Sequence, residues 1–308
     1  MRNRLFSSVM MLVLLLGTVV PVAAQSPPDA PETSDEEVLV SGVRPGPPLW
    51  RVRKGDNTLY MLAIVNPMPK GLEWRSREVE SVLDRATAFV PPTVSVGFDL
   101  GKIGYFKAAK MYLEFRRLRD NPDDRPLSDV VPADLYARFS ELHTRYAPKE
   151  RALLKRRPVF AVYELWDAAV ARSKLSKSDV VGDAVEKMAG ERQLKFLSPS
   201  VTSDDPRASL DEFARTPPET EIPCMRSVLA RFDTDLALAR ERAIAWAEGD
   251  VDALRAGAKR SSLDACLEGF ADTMQVAGKM RDARWDRLVE AVEDHAVSLA
   301  VVEEVDEP

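Results

Sequence analysis

Histidine and cysteine, which build many catalytic and metal sites, are scarce in this sequence of 308 residues. It contains two histidines, His143 and His295, and two cysteines, Cys224 and Cys266. Neither histidine has a second ligand at the spacing of HExxH or CxxC motifs. A glycine-rich phosphate loop, a serine nucleophile elbow and a zinc signature are also absent. The sequence therefore lacks the usual signatures of zinc enzymes, nucleotide-binding proteins and serine hydrolases.

An excess of positive charge is absent as well, because the formal net charge is −6 at pH 7. An acidic protein binds the phosphate backbone of nucleic acids poorly. We therefore expect no nucleic-acid partner.

A long apolar run is found only at the N-terminus, where Val9–Val20 follows Arg2 and Arg4. Small residues at 22–24 come next and complete the layout of a cleavable export signal. The run is too short to span a bilayer comfortably, so we expect membrane attachment only if the signal stays uncleaved. Residues 1–24 are thus predicted to be a signal peptide, and the mature protein to be periplasmic or secreted.

The segment that follows the signal is rich in Pro, Ser, Asp and Glu and has little to bury. Such a composition is typical of a mobile linker, which we assign to residues 25–47. No second linker is found in the sequence. Residues 48–308 are therefore predicted to form one domain, which is large enough to bury a substantial core.

The two cysteines belong to a chain that is predicted to enter an oxidising compartment. An even pair in that setting favours a disulfide between Cys224 and Cys266. The alternative is two buried free thiols. A thiol nucleophile is disfavoured because neither cysteine has a catalytic partner nearby in the sequence.

The N-terminal part of the domain has the pattern of a small sheet. Two β-prone apolar runs, Leu49–Val52 and Thr58–Val65, flank Gly55-Asp56-Asn57 and predict a hairpin. Apolar residues with helical spacing then predict a helix over 76–86, and Thr87–Val90 returns as a short strand.

The rest of the domain is mostly helical by its apolar period. The helix that Pro158 opens is apolar around most of its circumference and is predicted to be central, and a long helix from Met225 is expected to stop at Gly249. Leu194–Leu197 and Val297–Val302 are predicted strands. The sequence therefore predicts an α+β fold, in which a mixed central sheet of N-terminal hairpin and C-terminal strand is covered by a large helical layer.

The ends of the predicted strands carry unreactive residues. Ligands and catalytic groups on open sheets usually lie at strand ends. Here Asn66-Pro67 ends the second strand and Pro91-Pro92 ends the third. An amide is a poor metal ligand and is neither an acid nor a base, and proline has no functional side chain. The sequence thus predicts little chemistry at this place.

Three segments, Leu49–Val52, Leu59–Leu62 and Pro69–Arg75, share the frame of a known family. Together they resemble the opening of the TraB/GumN family, whose active members resemble metal-dependent proteases. In that family one strand ends in Gly-x-x-His and the next strand ends in Glu. Through this frame the family's Gly falls on Ala63, its His on Asn66 and its Glu on Pro92.

The resemblance implies a divalent metal such as Mn or Co in active members, but these three positions lack the donors. The family's second Gly-x-x-His follows a late strand, for which Val297–Val302 is the candidate, and only Glu303–Pro308 come after it. The resemblance covers about residues 48–302 and implies a divergent branch that has lost the metal chemistry. No cofactor is therefore expected.

Two carboxylates and one imidazole are the candidates for a relocated active site. Glu164 and Asp167 lie three residues apart on the most apolar helix and can share a face as a pair with a raised pKa. The alternative is that they mark a wet edge or pair with Arg157 and Arg172. His143, on an amphipathic helix, is either a ligand or a solvent-facing residue.

Two basic clusters are candidates for binding an anionic glycan or lipid head group, although solvated helix faces explain most such runs. The clusters are Lys107, Lys110, Arg116, Arg117 and Arg119, and Lys149, Arg151, Lys155, Arg156 and Arg157. The spacing of Tyr105, Phe106, Tyr112 and Phe115 predicts that these aromatic residues pack inward.

Three functional hypotheses follow from the sequence. The first is an exported, non-catalytic family member that acts as a binding or scaffold protein in the cell envelope, with an envelope protein or an anionic glycan as partner. The second is a peptidase-like hydrolase, with or without a metal, that uses Glu164, Asp167 and His143. The third is an accessory protein that binds anionic polysaccharide.

Overall fold

A computed structural model describes residues 46–98, 104–203, 205–257, 262–263, 266 and 277–303. The predicted signal, nearly all of the predicted linker and the residues after Glu303 lie outside the described residues. The described part of the chain falls within one compact unit, Gly42–Pro308.

The described chain begins with a hairpin, continues mainly as helices and ends in a strand, as the apolar periods predict. The strands are β1 (Leu49–Lys54), β2 (Asn57–Ile64), β3 (Ala88–Val90), β4 (Ser95–Phe98), β5 (Lys195–Phe196), β6 (Ser200–Ser203) and β7 (Val297–Glu303). The helices are α1 (Arg77–Leu83), α2 (Tyr105–Leu118), α3 (Ala133–Tyr146), α4 (Pro158–Arg172), α5 (Val180–Glu191), α6 (Pro206–Arg215), α7 (Ile222–Glu248), α8 (Val251–Gly257) and α9 (Ala277–Asp294).

The main sheet has five strands in the order β1-β2-β7-β3-β5. β1 and β2 form the predicted antiparallel hairpin, whose turn places Gly55 at a φ of +59°. β7 runs parallel to both β2 and β3, and β5 runs parallel to β3. The predicted α+β class is confirmed, and β7 lies in the middle of the sheet. β5 is shorter than predicted, and a separate parallel pair of β4 and β6 was not predicted.

Both faces of the main sheet are covered. Leu299 and Val301 of β7 pack on one face with residues of α1 and α5, whereas Ala300 and Val302 pack on the other face with residues of α9. Successive side chains of a strand point to opposite faces. β7 is therefore a nearly continuous apolar run, because each of its faces meets a helix.

The helical layer has a separate core built around α4. Ala161, Val162, Leu165 and Ala169 of this helix are fully buried, which confirms the predicted central position. Its Trp166 packs edge-to-face on Phe232 of α7, with ring centroids 5.3 Å apart. The helix is central because it is apolar on almost every side.

The long helix α7 ends as its sequence predicts. Gly249 adopts a φ of +74°, a left-handed conformation that glycine accepts without strain, and stops the helix. The Asp250 carboxylate then accepts a hydrogen bond from the backbone N–H of Ala253 at 3.0 Å, as expected for the cap of α8.

A disulfide joins the start of α7 to a later segment. It connects Cys224 and Cys266, whose Cα atoms are 5.1 Å apart. The predicted disulfide is therefore present, and the alternative of two free thiols is wrong.

The expected inward packing of the aromatic residues on α2 is wrong for three of the four. Tyr105, Phe106 and Tyr112 are exposed, and only Phe115 faces inward, where it packs edge-to-face on Phe160 at 6.1 Å between ring centroids. Helical spacing shows which residues share a face, but it does not show which face meets the protein.

Within the described residues, no helix is both long and apolar enough to cross a bilayer.

Candidate functional site at the carboxyl edge of the sheet

The carboxyl ends of β2, β3 and β7 meet at one edge of the main sheet because these strands are parallel. Ile64 pairs with Glu303, and Val90 pairs with Ala300. The residues that follow β2 and β3, Asn66 and Pro92, therefore lie at this edge. It is the place where open sheets with parallel strands usually carry their ligands.

Ala63 is buried just before this edge and has a structural role. Its carbonyl oxygen accepts a hydrogen bond from the indole Nε1 of Trp246 at 2.5 Å. Trp246 is itself buried and packs against Trp74, with ring centroids 5.7 Å apart. This contact anchors α7 to β2 beside the edge.

One carboxylate that sequence reasoning missed enters the site. Asp179 is the N-terminal cap of α5, and its Oδ1 accepts a hydrogen bond from the backbone N–H of Gly182 at 2.8 Å. Gly182 makes room for it, because a Cβ there would lie 2.0 Å from Asp179 Oδ2 and 3.0 Å from Cγ of Pro92. The Asn66 side chain lies close enough to Asp179 to lower the pKa of its carboxyl. Asn66, Pro92 and Asp179 are thus brought together.

The environment of Asp179 alters its acidity. Burial raises the pKa of the Asp179 carboxyl above its usual range, and the Asp183 carboxylate adds to this effect. The hydrogen bond from the backbone of Gly182 and the nearby Asn66 side chain lower the pKa and oppose burial. An aspartate directly before the apolar positions Val181 and Val185 is the capping signal that could have found this residue.

A positive charge lies at the same edge. Nη1 of Arg284, from α9, donates to the carbonyl oxygen of Pro92 at 2.6 Å, and Nη2 donates to the carbonyl oxygen of Val301 at 3.0 Å. The guanidinium therefore links the segment after β3 to β7. The sequence holds no signal for this role, because α9 is far from β3 along the chain.

These residues do not fit a divalent metal. Asn66 offers an amide, Pro92 has no donor in its side chain, and the Asp179 carboxylate already caps α5. The guanidinium of Arg284 also opposes a second cation by charge repulsion. Over the described ranges of the chain, no group of three or more His, Cys, Asp or Glu residues is arranged to hold a metal ion.

The predicted carboxylate candidates are held by other partners than expected. Glu164 accepts hydrogen bonds from Arg119 and from Nε of Arg156, the latter at 3.0 Å. Asp167 lies 3.3 Å from Nζ of Lys177. The expected pairing with Arg157 and Arg172 is therefore wrong. Those two guanidinium groups bond elsewhere, Arg157 to Glu221 and Arg172 to the carbonyl oxygen of Arg145.

His143 is buried in the helical core, so the interpretation of a solvent-facing residue is wrong. It is 8% exposed and stacks on Phe139, with ring centroids 5.9 Å apart. Its Nε2 lies 3.2 Å from the carbonyl oxygen of Glu150. The residue faces inward because it lies one turn after Phe139 on the apolar side of α3.

Glu164 and Asp167 do share a cavity of about 450 Å³. Charged residues of both signs line it, among them Lys149, Glu150 and Lys177. His143 does not line this cavity. The structure thus brings two of the three candidates to one cavity and leaves the imidazole outside.

The sequence that forms the sheet and its carboxyl edge matches a known family. The model of the TraB/PrgY/gumN family matches residues 48–303. The chain belongs to the TraB/PrgY/gumN family. This confirms the resemblance found in the sequence, which covered about the same residues. Comparisons with curated proteins and with solved structures found no match.

The TraB family match spans β1 to β7 and so includes the whole carboxyl edge. In this TraB family chain the edge contains an amide, a proline, a capping carboxylate and a guanidinium, in addition to Glu303 at the end of β7. Hydrogen bonds within the protein already use Asp179 and Arg284. The arrangement stabilises the ends of the strands, and burial raises the pKa of the Asp179 carboxyl above its usual range.

We expect Asp179→Asn to raise the free energy of unfolding at pH 7, with a smaller gain as the pH falls towards 4. Asparagine caps a helix as well as aspartate does, and it removes the charge that burial disfavours. The raised pKa of Asp179 means that the folded state holds the proton more tightly. Wild-type stability therefore falls as the pH rises from about 3.9, the unfolded value, through the folded pKa.

Urea unfolding of both proteins between pH 4 and pH 7 measures this difference. Asp205→Asn is the matched control, because Asp205 caps α6 at an exposed position and accepts from the Ala208 N–H at 2.9 Å. We expect its pH dependence to change much less. A loss of stability at pH 7 in Asp179→Asn alone would show that the charged form is favoured and would contradict the argument.

Proposed function

We propose that this chain is an exported TraB family protein that acts by binding and not by metal-dependent catalysis. The single observation that carries the proposal is the composition of the carboxyl edge. Asn66 and Pro92 occupy the positions where the family frame has its histidine and its glutamate. The Asn66 amide is a poor metal ligand and is neither an acid nor a base, and proline has no functional side chain.

The geometry of the edge supports this proposal. The Asp179 carboxylate caps α5, and the Arg284 guanidinium bonds to two carbonyl oxygens of the strand ends. The hydrogen bond from Gly182 fixes the orientation of this carboxylate as a helix cap. The guanidinium of Arg284 is likewise fixed by its two bonds to carbonyl oxygens. The edge is therefore better suited to holding the sheet together than to activating water.

Export is supported by two independent features of the chain. The sequence before residue 25 has the basic start, the apolar run Val9–Val20 and the small residues of a signal peptide. The Cys224–Cys266 disulfide suits an oxidising compartment, where such bonds persist. A role in the cell envelope, with a protein or an anionic glycan as partner, follows from this location.

We expect calorimetric titration of Mn²⁺, Co²⁺ or Zn²⁺ into the purified protein to give no one-to-one site tighter than about 1 μM. The reason is the lack of metal donors at Asn66 and Pro92. The Asp179→Asn variant is the control, because it removes the carboxylate at the edge and keeps the cap. Stoichiometric binding that this variant abolishes would place a metal at the edge and refute the proposal.

A peptidase-like hydrolase is the second candidate, and the shared cavity of Glu164 and Asp167 is the observation in its favour. Against it, Glu164 is bound by two guanidinium groups and Asp167 by an ammonium group. Turnover of a peptide library by the wild-type protein decides between the two candidates. If Glu164→Gln abolished such turnover with the fold intact, the hydrolase would replace the binding protein.

A further inference from the structure

The helix α2 presents an unusually apolar face to solvent. Phe106 is 95% exposed, Tyr105 is 78% exposed, Tyr112 is 62% exposed and Leu113 is 56% exposed. No residue of this helix is classed as buried. Single exposed apolar residues are common on protein surfaces, but four on one 14-residue helix form a patch that needs an explanation.

Helical geometry puts these four residues on one side of α2. Tyr105 and Tyr112 are seven residues apart, as are Phe106 and Leu113, so each pair lies two turns apart on nearly the same line. The small residue Ala109 lies between the two lines. The four side chains and Ala109 therefore form one continuous strip, which we call the outer strip.

Basic residues border the outer strip. Lys110 and Arg117 follow Phe106 and Leu113 by four residues each and are neighbours of them on the helix surface. Arg116 follows Tyr112 in the same way. The helix has four basic residues and one acidic residue, Glu114, in a chain whose net charge is −6. The helix that carries the outer strip is therefore positively charged, on a protein that is acidic as a whole.

The opposite side of α2 fixes the helix to the protein. Phe115 packs edge-to-face on Phe160 of α4, with ring centroids 6.1 Å apart. Glu114 accepts a hydrogen bond at 2.6 Å from Nη1 of Arg207, in α6. These contacts set the rotation of the helix, so the outer strip points away from the described body of the protein.

We propose that the outer strip docks this protein on the surface of a lipid bilayer that carries anionic head groups. Helices that lie in a membrane interface combine aromatic and aliphatic side chains on one face with Lys and Arg beside them. The apolar side chains enter the boundary between head groups and acyl chains, and each basic residue is attracted to the anionic surface. The outer strip supplies the apolar side chains, and the basic residues that border it supply the positive charge.

Charge and shape favour a bilayer over other occupants. A second copy of the same strip would bring two positive surfaces together, which charge repulsion disfavours. An acidic polysaccharide would account for Lys110 and Arg117 but would leave Phe106 and Leu113 without a role. The outer side of a helix is convex and fits a soft, flat surface.

Flotation with lipid vesicles tests the proposal on the chain without its predicted signal, residues 25–308, because the signal itself would bind lipid. We expect binding to phosphatidylcholine vesicles with 30% phosphatidylglycerol and at least about tenfold weaker binding to phosphatidylcholine alone. Phe106→Ser should weaken binding to the anionic vesicles about tenfold. Lys110→Glu combined with Arg117→Glu should weaken it by at least as much.

Matched substitutions elsewhere separate the outer strip from the rest of the surface. Trp285→Ser removes an aromatic side chain that is 67% exposed on α9, and Lys187→Glu reverses an exposed charge on α5. We expect neither to change vesicle binding. The proposal fails if these controls weaken binding as much as the strip variants, or if the protein does not bind anionic vesicles.

Two further measurements identify the occupant. Because both native cysteines form a disulfide, Phe106→Cys introduces one reactive thiol for an environment-sensitive dye. A blue shift of the dye on anionic vesicles is expected and would support insertion. Binding to heparin that Phe106→Ser leaves unchanged, without vesicle binding, would assign the surface to an anionic glycan instead. A dimer in solution that Phe106→Ser dissociates would assign it to a second copy. Either outcome would overturn the proposal.

Discussion

Arg157→Met lowers the free energy of unfolding by about 3–5 kcal/mol, because it leaves the Glu221 carboxylate buried without its cation. Arg157 is 1% exposed and Glu221 is 8% exposed. Nε of Arg157 donates to Oε1 of Glu221 at 2.7 Å, and Nη2 donates to the carbonyl oxygen of Thr216 at 2.9 Å. Methionine fills similar space but replaces none of these bonds.

The pair also organises the start of α4. Oε2 of Glu221 accepts a hydrogen bond from the backbone N–H of Val159 at 3.0 Å, and the guanidinium of Arg157 lies 4.2 Å from the ring centroid of Phe213. Burial raises the pKa of Glu221, and Arg157 opposes that rise. Without Arg157 the pKa rises further, so the variant recovers part of its stability as the pH falls and Glu221 takes up a proton.

Urea unfolding at pH 7 measures the loss, and two variants give the comparison. Arg125→Met breaks an exposed pair with Glu219 and should cost less than about 1 kcal/mol. Arg157→Met combined with Glu221→Met should cost less than Arg157→Met alone, because no buried charge is left. If the single Arg157 variant were as stable as Arg125→Met, the pair would not have the role described.

Loss of the disulfide should lower the free energy of unfolding by about 4 kcal/mol. Cys224 and Cys266 are 42 residues apart in the sequence, and the bond restricts the unfolded chain by closing that loop. We expect this loss in the variant with both Cys224→Ala and Cys266→Ala, relative to the oxidised wild type. Guanidinium unfolding of both proteins measures it.

Reduction of the wild-type protein gives the control for this prediction. A reductant should lower wild-type stability to nearly that of the double alanine variant and should leave the variant unchanged. Two reactive thiols in the native, purified protein would contradict the disulfide. So would a double variant as stable as the oxidised protein, because the bond would then restrict nothing of importance.

Much of the fold could be predicted from local patterns. The hairpin around Gly55, the long helix that stops at Gly249 and the late apolar strand each have a signal within a few residues. The composition of the carboxyl edge was also predictable, because Asn66 and Pro92 follow strands that the sequence shows clearly. These features depend on neighbours along the chain, and a single sequence contains that information.

The features that were missed depend on contacts between distant segments. Asp179 reaches Asn66, and Arg284 reaches Pro92, only because helices from later in the chain pack on the sheet. The partners predicted for Glu164 and Asp167 were wrong for the same reason. The prediction that the aromatic residues of α2 pack inward was wrong, because an apolar stripe has the same spacing whether it meets a core or solvent.

The position of β7 has a consequence for how the protein is made. β7 comes from residues 297–303, and yet it lies between β2 and β3, with hydrogen bonds to both. The five-stranded sheet therefore cannot be completed until residues 297–303 have been synthesised, since its central place is filled by a late segment. Under the export that we propose, this delay would keep a finished sheet from obstructing passage through a narrow translocation channel.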